Sequence, residues 1–249
     1  DEVSSDHKFN ADRDEVLRAV HDSGVALVVD PGDSGVTSER AVALAQAHDF
    51  VYAAVGWHPE EADSWTDSSL AHIRALAAQP KVCAIGEIGL DYYWVKDPEG
   101  RARERAFYDA QLSLAEELNL PAIVHDRDAH RDCLDIVRAH PKVTGVYHCY
   151  SGGVEDAKIL MKLGWMISFT GSITFKNARR ALEVIDLLPM DRIMIETDSP
   201  YLSPEPFRGR RNDSGRVHLV SEAIARRKGL DPEEVARITL ENGRRFFRI

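Results

Sequence analysis

The stretch Lys81-Val-Cys-Ala-Ile-Gly-Glu87 is a short apolar run closed by a carboxylate, and three further segments repeat the arrangement. Pro121-Ala-Ile-Val-His125 and Val143-Thr-Gly-Val-Tyr-His148 end on imidazoles, and Arg192-Ile-Met-Ile-Glu-Thr-Asp198 ends on a second carboxylate. Helical patterns separate the four. Continuous apolar runs between helices are what a parallel sheet covered on both faces requires. If the runs are neighbouring strands of an α/β barrel, four metal-ligand side chains converge on the rim where such barrels do chemistry.

Working outward from these runs, the pattern predicts helices over 12–23, 38–48 (capped by Ser38), 70–78, 101–118, 129–139, 154–163 and 177–187. Strands are expected over 25–29, 51–55 and 165–169 besides the four quoted runs, and two terminal helices over 217–228 and 231–246. Strict alternation predicts a parallel α/β fold, of the TIM-type (β/α)8 barrel class. No Pro/Gly/Ser-rich linker, composition break or repeat divides the chain, so residues 1–249 read as one hydrolase domain. Seven strands are found where the barrel has eight, and the chain opens on a helix. The expectation is that a first strand and its loop precede Asp1.

Charged residues make up 29% of the chain and hydrophobic ones 44%, with no apolar stretch near the roughly 20 residues of a membrane span. No charged leader followed by an apolar segment is present, so a cytoplasmic protein with no membrane partner is expected. Cys83, Cys133 and Cys149 are odd in number and form no CxxC pair, which argues against a disulfide framework and a cysteine zinc site. They read as core thiols. A net charge of -10 disfavours a protein that coats nucleic acid, because such affinity rests on neutralising phosphates, but it leaves room for an enzyme that meets a few phosphates locally.

An ordered set of motifs resembles one known family. They are Val55-Gly-Trp-His-Pro59, Gly86-Glu-Ile-Gly-Leu-Asp-Tyr92, Leu120-Pro-Ala-Ile-Val-His125, Tyr147-His-Cys-Tyr-Ser-Gly152, Phe169-Thr-Gly171, Ile195-Glu-Thr-Asp-Ser-Pro-Tyr-Leu202, Arg208-Gly-Arg-Arg-Asn212 and Glu241-Asn-Gly-Arg-Arg-Phe-Phe247. In this order they resemble the TatD-like metal-dependent deoxyribonucleases of the amidohydrolase-type barrels. The resemblance implies that Glu87 bridges two divalent metals, that His125 and His148 bind the second, and that Asp198 serves the first. His58 and Glu196 match positions lining that site, His58 as a further expected metal ligand and Glu196, with Asp198 and Glu87, as an expected catalytic carboxylate. Two departures stand out. The family's opening His-x-His pair is missing, since His7 stands alone; either the pair lies upstream of Asp1 or the first metal site is incomplete. Asn212-Asp-Ser-Gly-Arg216 also stands where the family often has a Pro and an aromatic residue.

The chemistry can be argued from the residues as well. Phosphodiester hydrolysis must neutralise a dianionic transition state and supply hydroxide at neutral pH, and divalent ions do both by lowering the pKa of bound water to about 7. Two ions roughly 3.5–4 Å apart need a shared carboxylate, which Glu87 can provide. Neutral imidazoles at His125 and His148, with carboxylate oxygens, suit Mg, Mn or Zn without choosing among them. Asp198, two residues from Glu196 on the same strand face, is placed to hold a metal and act as general base. Taken singly, a strand-end His is an ordinary polar contact, His58 can shape a turn beside Pro59, and Glu87 or Asp198 can be a helix cap or an ion pair. Co-occurrence at successive strand ends favours ligation.

Arg208, Arg210 and Arg211 follow the Asp198 strand and suit phosphate oxygens by their fork geometry, against the ordinary reading of a solvated loop. Trp57, Tyr92, Tyr93 and Trp94 fall in strand-following loops and can either stack on unpaired bases or simply pack. His72, His130, His140 and His218 read as surface residues. The leading expectation is a monomeric metal-dependent hydrolase of ester bonds, a deoxyribonuclease acting as an exonuclease on single-stranded DNA ends. The alternatives are a barrel hydrolase of a small ester or amide, since fold does not fix substrate, and a non-catalytic homologue with an incomplete first metal site.

Overall fold

The computed structural model describes Phe9 and residues 11–249, so His7 and any structure around it lie outside the described residues. Seven parallel strands occur there in the sheet order β1-β2-β3-β4-β5-β6-β7. They are β1 (Val28–Pro31), β2 (Val51–Val55), β3 (Val82–Asp91), β4 (Ala122–Arg127), β5 (Gly145–Tyr147), β6 (Met166–Phe169) and β7 (Ile193–Ile195). Between and around them run α1 (Arg13–Asp22), α2 (Gly35–Ala47), α3 (Ser69–Ala77), α4 (Pro98–Leu118), α5 (His130–Ala139), α6 (Val154–Lys162), α7 (Arg179–Leu187), α8 (Val217–Lys228) and α9 (Pro232–Phe247). Strand order that follows chain order, with a helix returning each strand to the same end, is the TIM-type barrel topology.

The sheet is strongly curved. Strands two apart in a flat sheet lie about 10 Å from each other. Yet His148, just past β5, reaches the Glu87 carboxylate of β3 across β4 at 2.7 Å, and it meets Glu196, just past β7, across β6 at 3.4 Å. The concave side therefore gathers the strand-end side chains. Lower down, the same side is filled by a small cluster that includes Ala54, Ala84, Ile123, Val146, Met166 and Met194, joined by Phe247 from the end of α9. Arg248 ties that end to the turn before β4 by donating to the Asn119 carbonyl at 2.9 Å. On the convex side, side chains such as Val55, Ile85, Leu112, Val124 and Ile224 pack strands against helices in one large core.

Three local expectations are corrected. Strand β1 is displaced from the expected 25–29 to Val28–Pro31, because its register is set by pairing Val28 with Val51. Helix α2 starts at Gly35: Ser34 accepts from the Thr37 N–H at 3.4 Å, and Thr37 Oγ1 accepts from the Ser34 N–H at 2.8 Å. This reciprocal capping box displaces the expected cap Ser38, which is instead buried with its hydroxyl between the N–H and C=O of Gly56, both at 3.2 Å. Finally, Glu87 does not close its strand. Strand β3 shifts register between Ile85 and Ile88 and continues to Asp91. Gly89 makes the continuation possible: it has φ +146°, and a Cβ there would sit 1.9 Å from the His125 carbonyl oxygen.

Candidate metal centre

The centre is built around one carboxylate. Glu87 Oε1 lies 2.7 Å from His148 Nε2, 3.0 Å from His125 Nδ1 and 3.3 Å from His58 Nε2. Glu87 and His125 lie in β3 and β4 and His148 and His58 follow β5 and β2, and the Glu87, His125 and His58 ligand atoms lie within 4.8 Å of one another. Burial by itself would raise the Glu87 carboxyl, but the His148 and His58 rings override it and hold the group well below the carboxylate range. Burial likewise opposes protonation of His125, yet Asp91 and Glu87 raise it to about 9. His148 is raised for the same reason, by Glu87 and Glu196. The site thus carries an excess of buried negative charge that draws cations, and imidazole nitrogens with carboxylate oxygens are the donor set of a divalent ion.

The far side of each ring decides which nitrogen faces the centre. His125 Nε2–H donates to Asp91 Oδ2 at 3.1 Å and Nδ1 faces Glu87 at 3.0 Å, 3.4 Å from His148 Nε2, so Nδ1 is the nitrogen that would serve an ion on giving up its proton. His148 turns Nδ1 to Glu196 Oε2 at 3.4 Å and presents Nε2. Glu196 is itself held by the Ser168 hydroxyl and by the Cys149 N–H at 2.6 Å. Each ring is thus backed by a carboxylate that orients the ligand face. His58 differs. Its Nδ1 accepts from the Glu60 N–H at 3.1 Å, so Nε2 carries a proton and faces Glu87 at 3.3 Å.

Asp198 lies past β7, where burial raises its carboxyl to about 6 against the pull of His148. Among the loop arginines, Arg208 stacks on Phe175 at 4.4 Å and Arg210 lies 6.0 Å from the Phe207 ring. Arg211 makes a two-point contact to Asp12 at 3.0 and 2.7 Å. The aromatic candidates divide. Trp57 is buried and its indole N–H donates to Ser64 at 2.9 Å, and buried Tyr92 donates to Asp132 at 2.6 Å. Only Tyr93 and Trp94 are exposed among those four. His72, His130 and His218 pair locally with Glu39, Asp126 and the Gly215 carbonyl. His140, expected on the surface, is buried against Asp109. Cys83 and Cys133 are core thiols, whereas Cys149 is half-buried beside Glu196.

Two residues of the centre carried no role in the sequence reading. Asp91 is fully buried, and its place four residues after Glu87 on one strand face was the available signal. Glu104 of α4 is 1% exposed, and its Oε2 accepts from the Asp91 N–H at 3.2 Å. Its charged surroundings in the sequence, Arg-Ala-Arg-Glu-Arg, read as a solvated helix face.

Against this geometry, the family model described as TatD related DNase matches residues 3–248. The chain is 43% identical over 244 residues to the uncharacterized metal-dependent hydrolase YabD of Bacillus subtilis, covering 97% of this chain and 95% of that one. It is 34% identical over 251 residues to the 3'-5' ssDNA/RNA exonuclease TatD of Erwinia tasmaniensis, covering 97% and 96%. The crystal structure of YJJV, a TatD homologue from Escherichia coli K12, superposes with a TM-score of 0.90 at 29% identity over 97% of this chain and 94% of that one. The chain belongs to the TatD-related DNase family and is a metal-dependent hydrolase of the TatD type.

Proposed function

We propose that the protein is a deoxyribonuclease that removes nucleotides from single-stranded DNA ends. The observation that carries this reading is the Glu87 carboxylate met by three imidazole nitrogens from neighbouring strand ends, with Asp198 beyond β7. The name of the Erwinia tasmaniensis relative supports the substrate class. The sheet of seven neighbouring strands supports treating residues 1–249 as one domain, and among the described residues no helix is long and apolar enough to cross a membrane.

In this reading Glu87, His125, His148 and Asp198 hold up to two divalent ions, Mg, Mn or Zn. When bound, such ions polarise the phosphate and lower the pKa of attacking water to about 7. The protein's own groups do the rest. Asp91 and Glu196 keep the His125 and His148 rings turned toward the centre, so no reorganisation is needed as charge develops. Asp198 would take a proton as the water oxygen attacks phosphorus and return it to the sugar oxygen released as the P–O bond breaks, with Glu196 orienting His148 beside them. His58, 3.3 Å from Glu87 and grouped with Glu87 and His125, is a further ligand candidate whose Nε2 faces the shared carboxylate. Arg208 and Arg210 are the phosphate contacts, and Arg211 steadies their loop through Asp12.

End-labelled single-stranded DNA tests the reading. Treatment with EDTA should stop digestion, and added Mg²⁺, Mn²⁺ or Zn²⁺ should restore a ladder that grows from one end. No cleavage with any ion would overturn it. Replacing Arg208 and Arg210 with Ala should raise KM on DNA and flatten its salt dependence; unaltered kinetics would remove them as phosphate contacts.

A further inference from the structure

Immediately past β3, Asp91-Tyr92-Tyr93-Trp94 leaves two large aromatic side chains in solvent. Tyr93 is 44% exposed and Trp94 62%, and their rings meet edge to face with centroids 4.8 Å apart. A tryptophan that open contributes little to packing. Two cations gather on the same rings. The Arg127 guanidinium, at the end of β4, sits 3.9 Å from the Tyr93 ring centre and 5.9 Å from that of Trp94, and Lys96 Nζ lies 5.4 Å from Tyr93. Arg127 covers a face of Tyr93, so the free stacking surface belongs to Trp94 while the guanidinium edge stays open for an anion.

This pair is fixed rigidly to the Glu87 centre. Buried Asp91 uses Oδ1 to accept from the Tyr93 N–H at 2.9 Å and the Trp94 N–H at 3.1 Å. Its other oxygen accepts from His125 Nε2 at 3.1 Å and lies 3.8 Å from Arg127. One carboxylate therefore sets both the orientation of His125 and the start of the aromatic turn. A net charge of -10 disfavours holding a nucleic acid by diffuse attraction, which gives weight to local contacts such as stacking, which tolerates any base.

We propose that Trp94, Tyr93 and Arg127 form a subsite that stacks one unpaired nucleobase of the substrate strand and contacts the phosphate next to it. The proposal rests on the nuclease reading above and adds to it the group that recognises a single strand. A base within a duplex is already stacked on its neighbours and has no free face for Trp94. The platform therefore selects unpaired ends.

The test is binding without turnover. A short fluorescent single-stranded oligonucleotide with phosphorothioate linkages is titrated with the protein as purified, beside the same oligonucleotide made abasic, and anisotropy is read. The expected result is roughly tenfold tighter binding of the base-bearing strand. That preference should vanish in Trp94→Ala and be largely kept in Trp94→Phe, with melting temperatures equal to wild type because the side chain is exposed. Equal binding of the two strands by wild type, an unchanged preference in Trp94→Ala, or equal weakening of both strands by that variant would each overturn the proposal. Loss of self-association in Trp94→Ala without any base preference would also overturn it and assign the surface to a protein partner. Cleavage of ordinary DNA, scored separately, keeps the two readings apart. A base preference without cleavage removes the nuclease reading and leaves the subsite, and cleavage without a preference does the reverse.

Discussion

At the scale of single residues, the centre depends on carboxylates that never face it. Asp91 accepts from His125 Nε2, and replacing it with Asn leaves the shape but removes the charge that fixes the ring's protonated nitrogen. Asp91→Asn should weaken divalent-ion affinity by about 10- to 100-fold with the fold retained. Calorimetric titration with Mn²⁺ checks this, and unchanged affinity would rule out the orienting role. Glu104 carries a second consequence. Burial raises its carboxyl from 4.5 to about 7, so between those values the folded chain keeps a proton that the unfolded chain has released. Stability then falls as pH rises through that window, by on the order of 3 kcal/mol for this group. Urea unfolding at about pH 5 and pH 8 should show that drop shrinking in Glu104→Gln. An equal drop in both proteins would show that Glu104 is not the group responsible.

Glu87, His125 and His148, which the structure brings together, stand out in the sequence because ionisable residues ending apolar runs are conspicuous. Asp91 and Glu104 do not, because their meaning lies in partners brought together by folding: Glu104 sits among arginines in the sequence yet points inward from α4 to the backbone of β3.

At the scale of elements, the alternation of strands and helices was visible from the apolar runs, and β2 and α8 fall where periodicity puts them. What periodicity could not reveal was the path of β3 through and beyond Glu87. That path depends on close backbone approach, which leaves no hydrophobic signature. Gly89 is where it is tightest, with room for a Cβ denied by the His125 carbonyl. Gly89→Ala should therefore push β3 from β4, cost about 3 kcal/mol or more, and misplace both Glu87 and His125. Thermal melting should fall and the Mn²⁺ titration should fail together. Wild-type melting in this variant would contradict the described strand contact. The start of α2 teaches the same lesson on a smaller scale: Ser34 and Ser38 are equally plausible caps by residue type, and burial of Ser38 against Gly56 decides between them.

At the scale of the whole molecule, curvature is what turns separate strand ends into a site. The ring past β5 reaches the carboxylate of β3 across β4 because the sheet bends around its concave face, where the ring past the adjacent β2 also meets it, and Phe247 from the last helix joins the filling of that face lower down. The central claim is that this gathering makes a divalent-ion site on which phosphodiester hydrolysis depends. Metal content per chain, measured by mass spectrometry on wild type and Glu87→Ala and paired with digestion of single-stranded DNA by the same samples, tests it most directly. The account predicts at least one bound divalent ion and digestion in wild type, with both lost in a folded Glu87→Ala protein. A Glu87→Ala protein that keeps the wild-type ion content and still digests DNA would contradict it.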